Sequence, residues 1–296
     1  MDGYINYYKE SGPTSNKALG KLKRELKLIK AGFLGTLDPC AEGVLPIGVG
    51  FGTRLFPYFE NTPKTYLAEI IFGSETDTQD ATGKTTKTGS TDSLTKEAFV
   101  AALELFRGEI EQIPPMYSAR RVDGKRLYEI ARSGKEVERE PKKVTIHKSE
   151  LIDFGIDRAT FRAVVSTGTY IRTYCEDVGR HIGAPAHMGS LTRETSHNFE
   201  IDTAIKFEVL DSQKDAPDKW LLPLDYPLDH LPRHDLNSAD ERLIIGGEAV
   251  NWYGEPLENI RLYGPDKNFL GIGSIDTLTR KINPVKIIRK SSLSRR

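Results

Sequence analysis

Alternation of hydrophobic and polar residues marks the strands of this chain. Over residues 66–72 every second side chain, starting with Tyr66, contributes to one apolar face, and this period of two predicts a β-strand. The segments 143–154 and 159–166 alternate in the same way and predict a pair of strands. The polar, turn-rich segment 76–83 predicts a loop after the first strand.

Helical spacing of apolar residues appears in three other segments. Residues 15–30 predict an amphipathic helix, with Ser15 as its N-cap and lysines on the opposite side. Thr95 is placed to cap a second helix. Residues 170–182 predict a third helix, and Gly183 is its predicted stop.

These elements follow one another without a regular βαβ rhythm, which predicts an α+β fold with a mixed, largely antiparallel sheet flanked by helices. Residues 211–240 are rich in Pro, Asp and His and form a candidate linker. We therefore expect a larger domain over residues 1–228 and a small β-rich domain over residues 229–296. The C-terminal domain is indicated by short apolar runs that glycines and prolines separate: 243–245, 260–263, 269–273 and 285–288.

Composition excludes several classes of protein. The 296 residues are 38% hydrophobic and 28% charged, and no run of eighteen apolar residues suggests a membrane span. The first residues lack the pattern of a secretory signal, and two cysteines give no disulfide framework. We expect a cytoplasmic protein. The cysteines and six histidines show no metal-ligand spacing, so we expect no metal.

The charge distribution indicates a polyanionic partner, although the formal net charge is zero. Residues 17–30 carry a net charge of +5, residues 117–143 carry +4 and residues 280–296 carry +7. Basic zones on a neutral protein are typical of a nucleic-acid-binding face. Taken singly, each zone is equally compatible with a solvated surface.

The chemically most informative segment is 35–39, which reads Gly-Thr-Leu-Asp-Pro. Asp38 is either a turn cap, since Asp before Pro commonly starts a turn, or a catalytic carboxylate. The segment alone favours the turn cap. Cys40 follows closely, and we expect this small thiol to pack rather than to act as a nucleophile, because no obvious base is near it in sequence.

Four blocks, at residues 35–48, 64–83, 112–128 and 168–193, resemble in order the four motifs of the bacterial TruB family of tRNA pseudouridine synthases. The first contains Asp38, the second begins Lys-Thr-Tyr at Lys64, and the fourth contains Gly-Thr-Tyr-Ile-Arg ending at Arg172. The segment from Phe269 to Ile288 is similar to the family's C-terminal RNA-binding domain of PUA type. The likeness covers nearly the whole chain.

The resemblance implies isomerisation of uridine 55 in the T-loop of tRNA to pseudouridine, without a cofactor or an obligate protein partner. It implies base flipping, with Asp38 as the catalytic carboxylate and Arg172 as its cationic partner. The residues implied to surround the flipped base are Tyr66, Tyr170, Arg172, Leu191 and Phe33. The implied RNA contacts, partly in a basic insertion near 117–143 that grips the T-loop, are Lys64, Arg120, Arg121, Lys125, Arg126 and Arg193.

The chain departs from the family five residues before Asp38, where Phe33 replaces a usual histidine. Phenylalanine retains the ability to stack in the space that a flipped base leaves, but it loses the hydrogen bond. Two other functions remain open at this stage: an isomerase that acts inside a guide-RNA complex, and an RNA chaperone in which Asp38 is structural.

Overall fold

The computed structural model describes residues 1–118, 121–122, 125–127, 130, 137–255 and 257–288. No helix in these ranges is long and apolar enough to cross a membrane. The described α-helices are α1 (Ser15–Glu25), α2 (Lys96–Leu105), α3 (Ile171–Ile182), α4 (Phe207–Ser212) and α5 (Ser238–Gly246). The described strands are β1 (Gly3–Lys9), β2 (Ala31–Phe33), β3 (Ala41–Val49), β4 (Lys64–Phe72), β5 (Ser74–Thr76), β6 (Thr85–Thr88), β7 (Gly108–Gln112), β8 (Arg121–Val122), β9 (Lys125–Arg126), β10 (Lys142–Phe154), β11 (Arg158–Val165), β12 (Ala186–Ser196), β13 (Phe199–Glu200), β14 (Arg233–Asp235), β15 (Val250–Asn251), β16 (Asn259–Tyr263), β17 (Phe269–Asp276) and β18 (Lys281–Ile287).

The main sheet confirms the predicted α+β class. Its strand order is β1-β3-β12-β4-β11-β10-β7, with β2 paired to β3 and β13 to β12. The pairs are antiparallel except for β12 with β3, which run parallel. This single parallel pair brings the start of β3 beside the middle of β12, where Ala41 is opposite Leu191.

The alternation over residues 66–72 correctly predicted β4, in which Lys64, Tyr66 and every second residue beyond are buried. The paired strands predicted over 143–154 and 159–166 are β10 and β11, joined antiparallel. Phe99 of α2 packs edge-on against Phe72 and Phe161 of the sheet, so the helix covers one sheet face. Thr95 caps this helix as predicted, accepting a hydrogen bond from the Ala98 amide.

The first helix differs from its prediction at both ends. Thr14, not Ser15, is the N-cap and accepts a hydrogen bond from the Lys17 amide at 3.1 Å. The helix ends at Glu25 rather than near residue 30, because Lys27 adopts a left-handed φ of 51° and the chain turns into β2. Ile29, which continues the apolar spacing, is 99% exposed. Pairing of β2 with β3 outweighs the helical pattern here.

Helix α3 begins and ends as predicted. Tyr170 is its N-cap residue, and Gly183 adopts φ 82° as its C-cap, a conformation that glycine accepts without steric cost.

A second sheet, of order β14-β16-β17-β18-β15, forms the C-terminal part. The apolar run 243–245, taken from the sequence as one of the strand-like runs, lies in helix α5 instead. The candidate linker 211–240 is folded: Trp220 and Leu228 in it are buried. Leu228 joins Ile272 of the second sheet and Tyr4 of the first in one apolar cluster. The division at residue 228 stays a prediction.

Candidate functional site

A cavity of about 250 Å³ opens where β4, β12 and the start of α3 meet the loop before β3. It gathers residues that are distant in sequence but that the sequence analysis had singled out. Those lining it are Asp38, Lys64, Tyr66, Tyr170, Arg172, Leu191 and Arg193. The four sequence blocks therefore converge on this cavity. The first, second and fourth blocks supply the residues just named, and the block 112–128 supplies Ser118.

Asp38 and Arg172 form the central ion pair of the cavity. Arg172 Nε lies 2.9 Å from Asp38 Oδ2, and the arginine side chain is 4% exposed while that of the aspartate is 34% exposed. Arg172 Nη1 donates to the Thr78 carbonyl at 2.9 Å and Nη2 donates to the Tyr117 carbonyl at 2.8 Å. The guanidinium is thus held on three sides, and the carboxylate faces the cavity.

Asp80 supplies a second carboxylate, to which the sequence analysis gave no role. Its Oδ2 lies 3.7 Å from Arg172 Nη1, and its side chain is 6% exposed. Its Oδ1 accepts hydrogen bonds from the Thr78 hydroxyl at 2.7 Å and from the Thr82 amide at 3.0 Å. The signal was present in the Asp-Ala-Thr-Gly sequence at 80–83, where Asx-type bonding to the residues around it folds the turn.

Burial and neighbouring charges act on Asp38 in opposite directions. Burial raises the pKa of the Asp38 carboxyl, and Arg172 opposes this rise. Asp80 raises the same pKa further, whereas Lys9 lowers it. An ionised Asp38 in this position therefore depends on its cationic neighbours.

Two residues that the sequence analysis did not assign to the site hold the loop that carries Asp38. Lys9, fully buried at the end of β1, donates from Nζ to the Ala41 carbonyl at 2.6 Å and to the Pro39 carbonyl at 3.4 Å. Ser15 exchanges two 2.9 Å hydrogen bonds with the backbone of Leu37. Ser15 is therefore a support of the loop. A lysine ending a strand of mainly aromatic and aliphatic residues was the available signal for Lys9.

Tyr66 and Leu191 present apolar surface from neighbouring strands. Tyr66 lies on β4 and is 8% exposed, and Leu191 lies on β12 and is 7% exposed. The Tyr66 hydroxyl lies beside the guanidinium of Arg193, which is fully buried. A flat aromatic face and an aliphatic side chain at one cavity suit an unsaturated ring.

Tyr170 is positioned by Gln112. Its backbone amide donates to Gln112 Oε1 at 2.8 Å, and Gln112 Nε2 donates to the Tyr170 carbonyl at 3.1 Å. Ser118, 4% exposed, also lines the cavity, and its hydroxyl has no hydrogen-bond partner among the described residues. It is an additional polar group available to a ligand.

Cys40 is a free thiol next to the ion pair. It is partly buried against the core, with Sγ 3.7 Å from Asp80 Oδ2. Burial and the carboxylates of Asp80 and Asp38 raise its pKa to about 12. This raised pKa disfavours the nucleophilic thiolate, and the packing role of Cys40 stays a prediction.

Phe33 does not line the cavity, and the part of the basic insertion that the structure describes reaches it through Ser118. Phe33 ends β2 and packs partly buried against the core, opposite Ile47 in β3. Arg120 lies outside the described residues. The backbones of Arg121, Lys125 and Arg126 form the small antiparallel pair of β8 and β9, and their side chains lie outside the description. The roles of these residues stay predictions.

Comparison with known proteins gives one consistent result. The model of the "TruB family pseudouridylate synthase (N terminal domain)" matches residues 23–171. A protein of Syntrophomonas wolfei named tRNA pseudouridine synthase B is 41% identical over 279 residues, covering 92% of this chain and 93% of the relative. The tRNA pseudouridine synthase B of Alkaliphilus oremlandii is 37% identical over 295 residues, covering 98% of each.

Solved structures share the fold. A Cbf5-Nop10-Gar1 complex contains a chain that matches with a TM-score of 0.71 at 23% identity, over 97% of this chain and 84% of that one. An H/ACA RNP bound to a substrate RNA containing 2′-deoxyuridine matches with a TM-score of 0.70 at 20% identity, over the same shares. At these identities the likeness concerns the fold alone.

Removal of the central cation should destabilise the fold strongly. Replacement Arg172→Met leaves Asp38 and the buried Asp80 without their partner, and we expect the free energy of unfolding at pH 7 to fall by about 3–5 kcal/mol. Urea denaturation measures this loss. Adding Asp80→Asn to Arg172→Met should recover part of it. Arg158→Met, in an exposed ion pair with Asp157, is the control and should change stability by less than about 1 kcal/mol. Equal effects of the two arginine substitutions would contradict the importance of the buried pair.

Proposed function

The chain belongs to the TruB family, it is an isomerase that forms pseudouridine in tRNA, and we propose that its target is uridine 55 in the T-loop and that Asp38 is its catalytic carboxylate. The observation that carries the assignment to Asp38 is its position in the cavity. Arg172 occupies one of its oxygens. The other oxygen, Oδ1, has no hydrogen-bond partner among the described residues and is free for a substrate.

The reaction needs few groups from the protein. The N-glycosidic bond of uridine breaks, the uracil turns, and its C5 atom joins C1′ of the ribose, with no change of oxidation state. One ionised carboxylate at the sugar or the base is sufficient to start the reaction, whether it attacks C1′, adds to the base or removes a ribose proton. All three routes require an ionised Asp38, and Arg172 favours that form because it lowers the Asp38 pKa against the rise that burial causes.

A uridine in a folded loop reaches Asp38 only after it leaves its stack. The cavity volume, the aromatic rings of Tyr66 and Tyr170 and the aliphatic side chain of Leu191 suit a flipped base. Tyr66 is the residue we assign to stacking on the uracil and to assisting removal of the C5 proton. We propose that Phe33 enters the space that the base leaves.

The basic insertion near 117–143 and the C-terminal sheet supply the wider RNA surface in this proposal. Arginines and lysines interleaved with Tyr117 and Tyr128 combine phosphate contact with base stacking, which suits a T-loop. We assign the second sheet to a PUA-type RNA-binding domain. We propose that the enzyme acts in the cytoplasm on the T-arm of tRNA without an obligate protein partner.

Loss of the Asp38 carboxylate should abolish turnover while binding persists. We expect tritium release from a T-arm hairpin that carries 5-³H-uridine to fall to background in Asp38→Asn, because the amide cannot act as nucleophile or base. The exposed carboxylate variant Asp92→Asn is the control and should match the parent. Replacement of uridine 55 by cytidine in the hairpin should abolish release by the parent. Undiminished turnover in Asp38→Asn would favour an RNA chaperone, and release without uridine 55 would reject the assigned target.

The role of Phe33 depends on the structure of the RNA. A stacked side chain contributes about 1–3 kcal/mol, so Phe33→Ala should slow turnover of the folded T-arm hairpin by about 10-fold or more. A linear oligonucleotide of the same loop sequence leaves no vacancy, and its turnover should change much less. Single-turnover tritium release on both RNAs measures the difference. Equal losses on hairpin and linear RNA indicate a purely structural phenylalanine, and unchanged binding and turnover on the hairpin reject the role.

Affinity for the T-arm should depend steeply on salt. Each phosphate contact to duplex RNA releases counterions, so we expect Kd to rise by about 10-fold or more between 50 and 200 mM KCl. Filter binding of a labelled T-arm hairpin measures the slope, and Arg121→Glu should reduce it. A Kd that stays constant across this range contradicts a phosphate-binding face.

A further inference from the structure

Two buried cations at the cavity lack a carboxylate partner. Lys64 is 8% exposed and Arg193 is fully buried. Among the described residues neither forms an ion pair within 4 Å, and Lys64 Nζ makes no hydrogen bond. Arg193 donates from Nε to the Val44 carbonyl at 2.7 Å and from Nη2 to the Gly35 carbonyl at 2.9 Å. These neutral carbonyls satisfy hydrogen-bond donors of Arg193, but they do not balance the positive charge of Arg193 or of Lys64.

The two charged groups converge above Gly35. A Cβ atom built on Gly35 would lie 3.3 Å from Arg193 Nη1 and 3.4 Å from Lys64 Nζ. One point in the cavity is therefore within reach of both cations. Gly35 has φ +73°, which disfavours any side chain there, so this point stays clear of the protein's own atoms.

Such an arrangement destabilises the empty protein. Burial lowers the pKa of Lys64 to about 8, and the neighbouring Arg193 lowers it as well. The unfolded lysine titrates well above that value, so below about pH 8 the charged Lys64 opposes folding. A residue placed at such a cost, aimed into a cavity and without a partner, indicates a ligand that carries negative charge.

We propose that Lys64 and Arg193 form a phosphate-binding site that holds a backbone phosphate next to the flipped uridine. This inference rests on the proposed function, since the RNA supplies the phosphate. Asp38 does not provide the missing charge, because Arg172 already pairs with it. A phosphodiester is charged both before and after the reaction, so the site acts in binding. The uracil carries negative charge only while it is detached, and a site for that charge would act on the rate instead.

A thermodynamic cycle between protein and RNA tests the site. The protein is Asp38→Asn, in which turnover is blocked, with and without Lys64→Met. The RNA is a T-arm hairpin in which one linkage, 5′ or 3′ of uridine 55, is an uncharged methylphosphonate. In each such RNA the methylphosphonate linkage follows a 2′-deoxy sugar. The reference RNA has the same 2′-deoxy sugar followed by an ordinary phosphate. A methylphosphonate in the stem is the control linkage.

We expect Lys64→Met to raise Kd by about 10-fold at moderate salt, as loss of one partner of a desolvated charge contact does. A methylphosphonate at one flanking linkage should raise the Kd of the Lys64 protein to a similar extent. The same RNA should bind Lys64→Met with no further loss. If the increases in Kd from Lys64→Met and from the methylphosphonate multiply, the two groups act independently and the proposed site is overturned. The same holds if the flanking linkages behave like the stem linkage.

Further readouts separate the site from a structural role and from the proposed reaction. Lys64→Met should raise Tm by about 2–4 °C at pH 7, because the uncompensated charge is gone, and Lys64→Arg should retain binding. A Tm that falls together with binding would indicate a structural lysine and overturn the proposal. In the chain with Asp38 intact, Lys64→Met with unchanged Kd but slowed tritium release would overturn the phosphate site in favour of contact with the reacting base. Coupling in the cycle without tritium release by the parent would keep the site and reject the proposed reaction.

Discussion

The buried guanidinium of Arg172 is the interaction on which the cavity depends. It ties together four segments that are remote in sequence: the Asp38 loop, the turn at Thr78 and Asp80, the Tyr117 carbonyl and helix α3. Arg172 lies in the first turn of that helix, where the helix dipole disfavours a positive charge. Two carboxylates are therefore needed to keep the arginine buried. The same requirement fixes Asp38 in place, so the group that stabilises the structure is also the one that faces the cavity.

The loop that carries Asp38 illustrates how support is divided among weak backbone contacts. Lys9 and Ser15 bond to its backbone carbonyls and to the Leu37 amide, while Arg172 pairs with the Asp38 side chain. Asp38 begins a turn through its backbone carbonyl, which accepts from the Ala41 amide at 3.1 Å, but among the described residues its side chain pairs with Arg172 and caps no amide. A turn that is bonded on both flanks presents a carboxylate with little freedom, and such preorganisation is what catalysis requires of a single charged group.

Sequence reasoning reached the elements whose pattern is local. Burial alternates along β4 as the apolar period indicated, and helix α3 lies between its N-cap Tyr170 and its left-handed C-cap Gly183. It failed where tertiary contacts decide. Helix α1 stops at Glu25 because β2 pairs with β3, although the apolar spacing continues. Ser15 does not cap the helix, because its hydroxyl bonds to the backbone carbonyl and amide of Leu37. The resemblance brought Asp38 and Arg172 together in advance, but Asp80 and Lys9 become visible only when distances are known.

The charges around the cavity explain how a chain of zero net charge can bind a polyanion. The cations Lys64, Arg172 and Arg193 line the cavity together with the carboxylate Asp38, while Lys9 bonds to the Asp38 loop and Asp80 pairs with Arg172. Arg172 is matched by Asp38 and Asp80. Among the described residues Lys9 bonds to carbonyls, Arg193 bonds to carbonyls and lies beside the Tyr66 hydroxyl, and Lys64 forms no hydrogen bond. The local excess of positive charge lies on buried side chains, where each charge acts more strongly than on the surface. A protein with no net charge can therefore attract a polyanion because its cations, and not its carboxylates, are concentrated where the ligand enters.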